Sequence, residues 1–409
     1  MTGMSGMMSG SGPLAHTLPM RVRLLRSSVL RPARRLAPLR AWIPALGLLL
    51  SACALPGIGE RRSPATATAT VPERYVSSEV PGEELDSLAT WAAPGGRVWL
   101  IASGKSSDRL TVFDADTGER LRTIGSPGKR QGSFDRPNGL AVWTDGNDPA
   151  GTTGTALLFV VERDNRRVQV LRLPGFEPVT TFGSDVLRSP YGIWLHPTGA
   201  HALEAYVTDS FMYGPHFDVV PPLSELSQRV RRFRLRFDGD RLEAVVAGSF
   251  GDTTEAGALR MVESLAGDPD NHRLLVADES TVPGDRRSNL REYTLSGRYT
   301  GRSLPEGSFD AEAEGVALWA CANGRGYWIA ADQLTPLTRF HLFDRRTLAW
   351  RGTWTGRVTA DTDGIALHTG PTPAFPHGAL FAVDQDKAVA AFDLQDVARA
   401  LGVAADCIR

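Results

Sequence analysis

The sequence predicts an all-β fold, a six-bladed β-propeller with four antiparallel strands in each blade. One short motif recurs six times at intervals of 49 to 53 residues, with one longer interval of 72, and β-rich runs between turn residues follow each copy. The composition agrees, since 42 glycines and 27 prolines among 409 residues favour a chain with many turns. With 45 basic and 46 acidic residues, the chain gives no indication of a nucleic-acid-binding or disordered protein.

The recurring motif is a polar residue, then glycine or another small residue, then an apolar strand. The copies begin at Asp86, Asn138, Tyr191, Glu263, Glu314 and Asp363. The interval of 72 residues after the third copy predicts an insertion in the third blade. Because the first strand of each propeller blade lines the central channel, we expect these six polar residues around one channel mouth.

Each motif is followed by two further apolar runs, which we predict as the second and third strands of the blade. The second runs are 98–104, 157–163, 205–209, 274–279, 327–332 and 380–385. The third runs are 110–114, 168–173, 230–237, 290–295, 339–344 and 388–394. Most units add a fourth run, such as 119–124, but the sixth continues into a helix-like segment at 394–401. We therefore expect residues 74–80 to pair with the sixth blade and close the ring.

Ahead of the propeller, a basic segment leads into an apolar one. Seven arginines and no acidic residue lie between Met20 and Arg40, and ten residues of apolar character follow at 41–50. This pattern predicts a secretory signal over residues 1–52, with Met20 as an alternative start. The apolar run is too short to span a bilayer as a permanent helix.

The signal ends in a sequence that predicts a lipid anchor. Leu50-Ser51-Ala52-Cys53 resembles the bacterial lipobox, in which the cysteine is acylated and becomes the mature N-terminus. The alternative is a plain cleaved signal that precedes a cysteine. Residues 53–74 are small, Pro-rich and Thr-rich, and we predict a flexible tether there. The propeller domain is then expected over residues 75–409.

The predicted channel mouth is rich in carboxylates. The acids that open blades or lie near the same rim are Asp86, Glu263, Glu279, Glu312, Glu314, Asp361 and Asp363. So many like charges would repel one another unless cations neutralised them. Oxygen ligands without cysteine suit a hard cation, calcium first. The alternative is that these acids are ordinary turn residues that need no metal.

Motifs of other chemistries are absent from the sequence. It contains no G-x-S-x-G elbow, P-loop, G-x-G-x-x-G or H-E-x-x-H motif. The three cysteines, Cys53, Cys321 and Cys407, leave no room for a disulfide framework. Cys321 lies in a β-run and is predicted to be a packing residue.

Several stretches of the repeat carry a family resemblance. They include Glu312-Ala-Glu-Gly-Val-Ala-Leu-Trp319, Gly324-Arg-Gly-Tyr327, Phe343-Asp-Arg345, Asp361-Thr-Asp-Gly-Ile365 and Phe375-Pro-His-Gly378. Further matches are Ala102-Ser-Gly-Lys105, Glu162-Arg163, Tyr191-Gly192, Glu263-Ser-Leu-Ala266 and Leu275-Val-Ala-Asp-Glu279. In this order and spacing they resemble the β-propeller phytases, which are six-bladed calcium-dependent phosphatases. The resemblance covers residues 85–394, and its last third is the most specific.

The resemblance implies a set of functional residues. Those matching calcium ligands are Glu263, Glu279, Glu312, Glu314, Asp361 and Asp363, to which the position at the channel mouth adds Asp86. Glu263 and Glu314 are expected to be catalytic, beside a metal-bound water that attacks phosphorus. Lys105, Arg163 and Tyr191 are expected to bind the phosphorylated substrate.

The chain also departs from the family pattern. The first-blade signature Asp-Asp-Pro-Ala is replaced by Asp86-Ser-Leu-Ala89, and a second-blade signature ending in Asp-x-Arg is replaced by Asn138-Gly-Leu-Ala-Val142. A lysine expected near the end of the third blade's second strand is missing around residues 209–211. Losing basic residues should weaken phytate binding more than calcium binding.

These observations predict a calcium-dependent phosphomonoester hydrolase that acts on phytate or a related phosphorylated small molecule. We expect an exported monomer, anchored through the lipid on Cys53 to the bacterial cell envelope on its periplasmic or outer-membrane side. Two alternatives stay open at this point. One is a non-enzymatic calcium-binding propeller that binds a ligand or partner protein at the envelope. The other is a six-bladed propeller esterase or lactonase. No nucleic-acid partner is expected.

Overall fold

The repeated motif folds into six four-stranded blades. The computed structural model describes residues 69–144, 156–238, 241–279 and 288–408. The predicted signal, Cys53 and most of the predicted tether lie outside the described residues. In the described ranges, no helix is long and apolar enough to cross a membrane.

Two short strands, β1 (Ala69–Thr70) and β2 (Tyr75–Val76), precede the first blade. The first blade contains β3 (Leu85–Ala92), β4 (Val98–Gly104), β5 (Arg109–Asp114) and β6 (Arg120–Ile124). The second contains β7 (Pro137–Thr144), β8 (Ala156–Glu162), β9 (Arg167–Leu173) and β10 (Glu177–Phe182). The third contains β11 (Pro190–Gly199), β12 (Ala202–Asp209), β13 (Val230–Asp238) and β14 (Arg241–Phe250).

The remaining blades follow the same plan. The fourth contains β15 (Val262–Asp268), β16 (Arg273–Asp278), β17 (Asn289–Thr294) and β18 (Tyr299–Ser303). The fifth contains β19 (Glu312–Ala320), β20 (Gly326–Gln333), β21 (Arg339–Asp344) and β22 (Trp350–Thr355). The sixth contains β23 (Ile365–His368), β24 (Ala379–Asp384) and β25 (Ala388–Asp393), and helix α1 (Leu394–Leu401) follows. Short 3₁₀ turns occur at Leu223–Gln228, Pro269–Asn271, Ala322–Gly324 and Ala405–Cys407.

The strands within each blade pair antiparallel in chain order, which confirms the predicted fold class. β4 and β21 have the predicted bounds, and α1 coincides with the helix-like segment. The largest difference among the second strands is in the third blade, where β12 begins three residues before the predicted start. Short apolar runs bounded by turn residues therefore identify most strands of this chain.

Apolar side chains pack between neighbouring blades, because both faces of each sheet are covered. Between the fifth and sixth blades, Phe340, Trp354 and Phe392 are fully buried, and the rings of Phe340 and Phe392 lie 5.3 Å apart. Burial of each such side chain contributes about 2–3 kcal/mol to stability. The core is thus a ring of inter-blade clusters around the channel.

Close packing between blades explains why the motif contains glycine at its second position. A Cβ atom on Gly139 would lie 2.5 Å from the carbonyl oxygen of Tyr191, and one on Gly192 would lie 2.5 Å from that of Glu263. Ser264 instead donates a hydrogen bond of 2.5 Å from its Oγ to the carbonyl oxygen of Glu314. The small residue of one blade therefore packs against the opening residue of the next, which draws the opening residues together around the channel.

The ring closes at the sixth blade through the N-terminal segment, as predicted. β2 pairs antiparallel with β25, placing Tyr75 opposite Ala391. β1 lies within the predicted tether but pairs parallel with β22 of the fifth blade. Between these strands, Glu73 accepts hydrogen bonds from the backbone N–H groups of Val358 and Thr359. The N-terminal segment thus covers the free edges of two blades.

The C-terminal tail returns to the fifth blade and is held there by a disulfide. Cys321 and Cys407 are bonded, and they are 86 positions apart in sequence. Arg325 and Asp406 form an ion pair of 2.6 Å beside the bond. The sequence-based interpretation of Cys321 as a packing residue was incomplete, because its partner lies beyond the sixth blade and meets it only after the ring has closed.

Removing the N-terminal segment should destabilise the ring. A protein of residues 82–409 lacks β1, β2 and the buried Val71 and Val80, and we expect it to lose on the order of 4 kcal/mol of unfolding free energy. Urea unfolding against residues 69–409, which retain both strands, measures this loss. Equal stability of the two proteins would contradict the closure by β2.

Candidate metal centre

The opening residues of the blades lie at β-bulges. In the first five blades the register between the first and second strands shifts at this residue, as between Val262 and Leu265 or between Ala313 and Val316. In the sixth blade, Asp363 and Gly364 directly precede β23. A bulge turns a side chain out of the regular alternation of a strand. It therefore explains how polar residues next to buried strands reach the channel mouth.

One half of the mouth is organised around Lys105, which directly follows β4 and is 9% exposed. Its Nζ lies 3.0 Å from Oδ2 of Asp363 and 3.2 Å from Oδ1 of Asp86. Asn138 donates a hydrogen bond of 3.1 Å to Asp86, and Gln333 donates one to Asp363. Lys105 therefore pairs with acids from the first and sixth blades.

The protonation of this half follows from its charges. Burial alone would lower the pKa of Lys105, but the charges of Asp86 and Asp363 outweigh it and raise that pKa above its ordinary value. Burial, followed by the charge of Asp86, raises the pKa of Asp363 well above its ordinary value, against the effect of Lys105. One ammonium group cannot neutralise both carboxylates, and Asp386 adds a third acid that is hydrogen-bonded to Asp363.

The other half of the mouth is a cluster of four glutamates, Glu263, Glu279, Glu312 and Glu314, called the glutamate cluster below. One carboxylate oxygen from each of Glu279, Glu312 and Glu314 lies within 4.8 Å of the others. Glu263 lies within hydrogen-bonding reach of Glu279, and this contact raises the pKa of Glu263. Among the described residues, no lysine, arginine or histidine forms an ion pair with any of the four.

Crowding raises the pKa values of these carboxyls. Burial, then the charges of Glu279 and Glu314, raise the pKa of Glu263 well above its ordinary value. Burial, then the charge of Glu279, does the same for Glu314. Burial, then the charge of Glu312, raises the pKa of Glu279 to about 7. The metal-free cluster thus holds protons at pH values at which ordinary glutamates are ionised.

This protonation gives the metal-free protein a distinctive pH dependence. The pKa of Glu279 is about 7 in the native state and near 4.5 as its ordinary value, so the native state binds more protons between these pH values. We therefore expect the unfolding free energy of the chelated protein to fall by about 2 kcal/mol from pH 5 to pH 7.5. Urea unfolding at both pH values tests this, and Glu279→Gln should reduce the fall. Equal stabilities at the two pH values would contradict the shifted pKa.

The hydrogen-bond partners of the glutamate cluster differ from those of the acids that stabilise turns. Asp209 accepts hydrogen bonds from the backbone N–H groups of Arg188 and Ser189, each of which precedes an inner strand. The acids that bind equivalent backbone N–H groups in other blades are Asp278, Asp332 and Asp384. In the described parts of the chain, no backbone N–H group donates to a cluster carboxylate. The turn interpretation therefore explains the aspartates that end second strands but not the glutamate cluster.

The donor atoms of the cluster fit a hard cation. All are carboxylate oxygens, which calcium prefers. Oε2 of Glu279 is buried and has no hydrogen-bond donor within the described residues. A buried oxygen without a donor is costly unless a cation or water binds it.

A cavity of about 700 Å³ adjoins the cluster and is lined by residues of the second, third and fourth blades. Glu263 and Tyr191 form its inner side, and Arg163, Arg166 and Arg188 line its rim. Arg163 pairs with Asp164 at 2.7 Å. The described residues offer no ion-pair partner to Arg166 or Arg188. The cavity therefore combines positive charge at its rim with the acidic channel mouth.

The structure brings most of the predicted site residues together. Asp86, Lys105 and Asp363 form one half of the mouth, the glutamate cluster forms the other, and Arg163 and Tyr191 line the adjoining cavity. Asp361 lies beside Glu312 and raises its pKa, after the effect of burial.

Sequence reasoning missed Gln333, Asp386, Arg166 and Arg188. Gln333 could have been identified from the sequence. It ends the second strand of the fifth blade, near the repeat position that Lys105, Arg163 and Glu279 occupy in their own blades. Arg188 lies in the loop before β11, at the position that Arg260 occupies in the fourth blade, and the repeat gave no indication that its side chain lines a cavity.

Comparison with solved structures finds chains of low sequence identity with TM-scores below 0.5. No family model and no curated protein matches the sequence. Hydrazine synthase of Kuenenia stuttgartiensis is 15% identical over 80% of this chain and 81% of that one, with a TM-score of 0.45. An α-L-arabinanase of Penicillium chrysogenum is 10% identical over 81% and 99%, with a TM-score of 0.49. A catalytically inactive virginiamycin B lyase of Staphylococcus aureus is 10% identical over 78% and 99%, with a TM-score of 0.43. At these identities the similarity carries no information on activity.

Proposed function

We propose that the protein is a calcium-dependent phosphomonoester hydrolase of the β-propeller phytase type, acting on phytate or a related phosphorylated small molecule. The proposal rests on the observation that the glutamate cluster and the adjoining cavity share one wall. Glu263 belongs to the glutamate cluster and also lines the cavity that Arg163 and Arg188 border. A cation held by the cluster and an anion held by the arginines would therefore meet at this wall.

The glutamate cluster would hold the calcium. Asp86 and Asp363 also match the predicted ligand set, but Lys105 already binds both, so we place the ion on the four glutamates. When bound, calcium would neutralise phosphate oxygens and lower the pKa of a coordinated water. Asp361, next to Glu312, would add negative charge at the rim.

The remaining groups would bind and orient the substrate. The guanidinium group of Arg188 is suited to a bidentate grip on phosphate oxygens, whereas that of Arg163 would have to leave Asp164 to bind one. Burial, then the charges of Asp86 and Glu263, raise the pKa of Tyr191 well above its ordinary value. The phenol therefore stays protonated and can donate a hydrogen bond to a phosphate oxygen. Glu263 and Glu314 hold protons in the metal-free site and would release them to bind the metal.

A second candidate is a calcium-binding propeller without enzymatic activity, and the position of Lys105 favours it. The family resemblance assigns Lys105 to substrate phosphate. Here it is buried and paired with Asp86 and Asp363, which leaves less of its charge for a phosphate. Binding of a phosphorylated ligand without turnover would support this candidate.

Export and lipid attachment at Cys53 also remain part of the proposal. The disulfide between Cys321 and Cys407 supports export, because disulfides persist in oxidising compartments outside the cytoplasm. A basic and apolar N-terminal segment followed by Cys53 supports the lipid anchor.

Phosphate release tests the proposed activity. The protein is incubated with phytate and with a simple phosphomonoester, each in the presence of calcium and in the presence of a chelator. We expect release only with calcium. Release that is unaffected by chelation, or none under either condition, would overturn the proposed activity.

A further inference from the structure

The insertion in the third blade builds one wall of the cavity. It joins β12 to β13, and Tyr213 and Val219 close it through two backbone hydrogen bonds of 2.8 and 3.1 Å. Arg229, which is fully buried, donates hydrogen bonds of 2.6 Å to the carbonyl oxygens of Phe211 and Arg260. These bonds tie the insertion to the loop that leads into β15. The insertion is thus a built part of the site.

The side chains that the insertion supplies are largely apolar. Phe211, Met212, His216 and Phe217 line the cavity from this side, and Phe217 is 77% exposed. A ligand that covers this ring would gain hydrophobic burial. The ring of Phe217 therefore offers an open surface for an apolar group.

Three arginines also line the cavity. They are Arg163, Arg166 and Arg188, and the guanidinium of Arg188 lies 3.8 Å from the ring centroid of Phe211. This cation–π contact places the charge of Arg188 next to the apolar side chains of the insertion. A ligand that carries both an anionic group and an apolar group would therefore match the lining of the cavity.

Building on the proposed phosphatase function, we infer that the preferred substrate is a phosphomonoester whose alcohol carries an aromatic ring, as in an aryl phosphate. A planar ring fits Phe217 and Met212, since aromatic and thioether groups pack favourably on ring faces. Phytate suits this cavity less well, because a phosphate placed against the apolar wall would lose hydration without gaining a partner.

The corresponding reaction is a simple hydrolysis. The oxygen of water forms a bond to phosphorus, and the bond between phosphorus and the ester oxygen breaks. The leaving aryl oxide takes up a proton from the attacking water, which gives the free alcohol and inorganic phosphate. Neither an oxidant nor a further co-reactant is needed.

Binding of two non-hydrolysable phosphonates tests the inference independently of turnover. Isothermal titration of the calcium-loaded protein compares phenylphosphonate with methylphosphonate. We expect phenylphosphonate to bind about tenfold more tightly or better, which corresponds to burial of a phenyl ring. Phe217→Asn should abolish this preference, and asparagine suits the positive φ of 55° at this position. Arg188→Gln should weaken both ligands. Val245→Ser, at an exposed apolar residue of β14, is the control and should change neither.

The outcomes separate this inference from the proposed activity. Equal affinities for the two phosphonates, or an unchanged preference in Phe217→Asn, would overturn the aromatic specificity even if calcium-dependent phosphate release is observed. A strong preference for phenylphosphonate that Phe217→Asn removes would support the specificity, even if no phosphate is released and the hydrolase proposal fails.

Discussion

Replacing Glu314 by glutamine should abolish the calcium-induced rise in melting temperature and reduce calcium-dependent phosphate release by about 100-fold or more. Glu314 is 6% exposed and belongs to the three carboxylates that lie within 4.8 Å of one another. Glutamine has nearly the same shape but lacks the charge that a cation requires. Calcium at a hundred times its Kd would stabilise the wild type by about 2.7 kcal/mol, and the variant should lose this effect.

The same substitution should raise the stability of the chelated protein at pH 8. Neighbouring carboxylates and burial oppose ionisation of Glu314, and glutamine removes that cost. Melting curves with calcium and with chelator measure both effects. Glu306→Gln, at an exposed acid outside the cluster, is the matched control and should respond to calcium like the wild type. A calcium response retained in Glu314→Gln would contradict the role of the cluster.

Replacing Cys407 by serine should cost about 2–5 kcal/mol of unfolding free energy. The disulfide closes a sequence separation of 86 residues, and constraint of the unfolded chain grows with loop length. It also holds the tail that follows α1 against the fifth blade, close to the edge that β1 covers. Loss of the bond should therefore loosen the site of ring closure.

Urea unfolding under non-reducing conditions measures this cost. Cys321→Ser should behave like Cys407→Ser, and the double variant should be no less stable than either, because each single change already removes the bond. Two reactive thiols at these positions in the native wild type, or an unchanged unfolding midpoint in both variants, would contradict the disulfide.

The repeat made most of the fold predictable. Each blade combines a polar residue, a small residue and an apolar strand, and the steric need at Gly139 and Gly192 explains why this pattern persists. The channel-mouth acids were predictable for the same reason, because equivalent repeat positions converge on one rim. The strand β2 could be anticipated since the sixth unit lacks its own fourth strand.

Contacts that depend on closure of the ring were not predictable. Lys105 and Asp363 are 258 residues apart, and their pairing requires the first and sixth blades to meet. The disulfide likewise joins residues whose separation in sequence gives no sign of contact. Phe211 belongs to the third-blade insertion, which lies outside the repeat, so its contact with Arg188 could not be anticipated.

Calorimetric titration of calcium into the metal-free protein at pH 7 tests the glutamate cluster most directly. We expect binding accompanied by proton release, because the cluster carboxyls have raised pKa values and must ionise to bind the metal. Repeating the titration in buffers with different ionisation enthalpies counts the released protons, and Glu314→Gln should remove the binding. No heat of binding in any of these buffers, together with a melting temperature that millimolar calcium leaves unchanged, would contradict the metal centre.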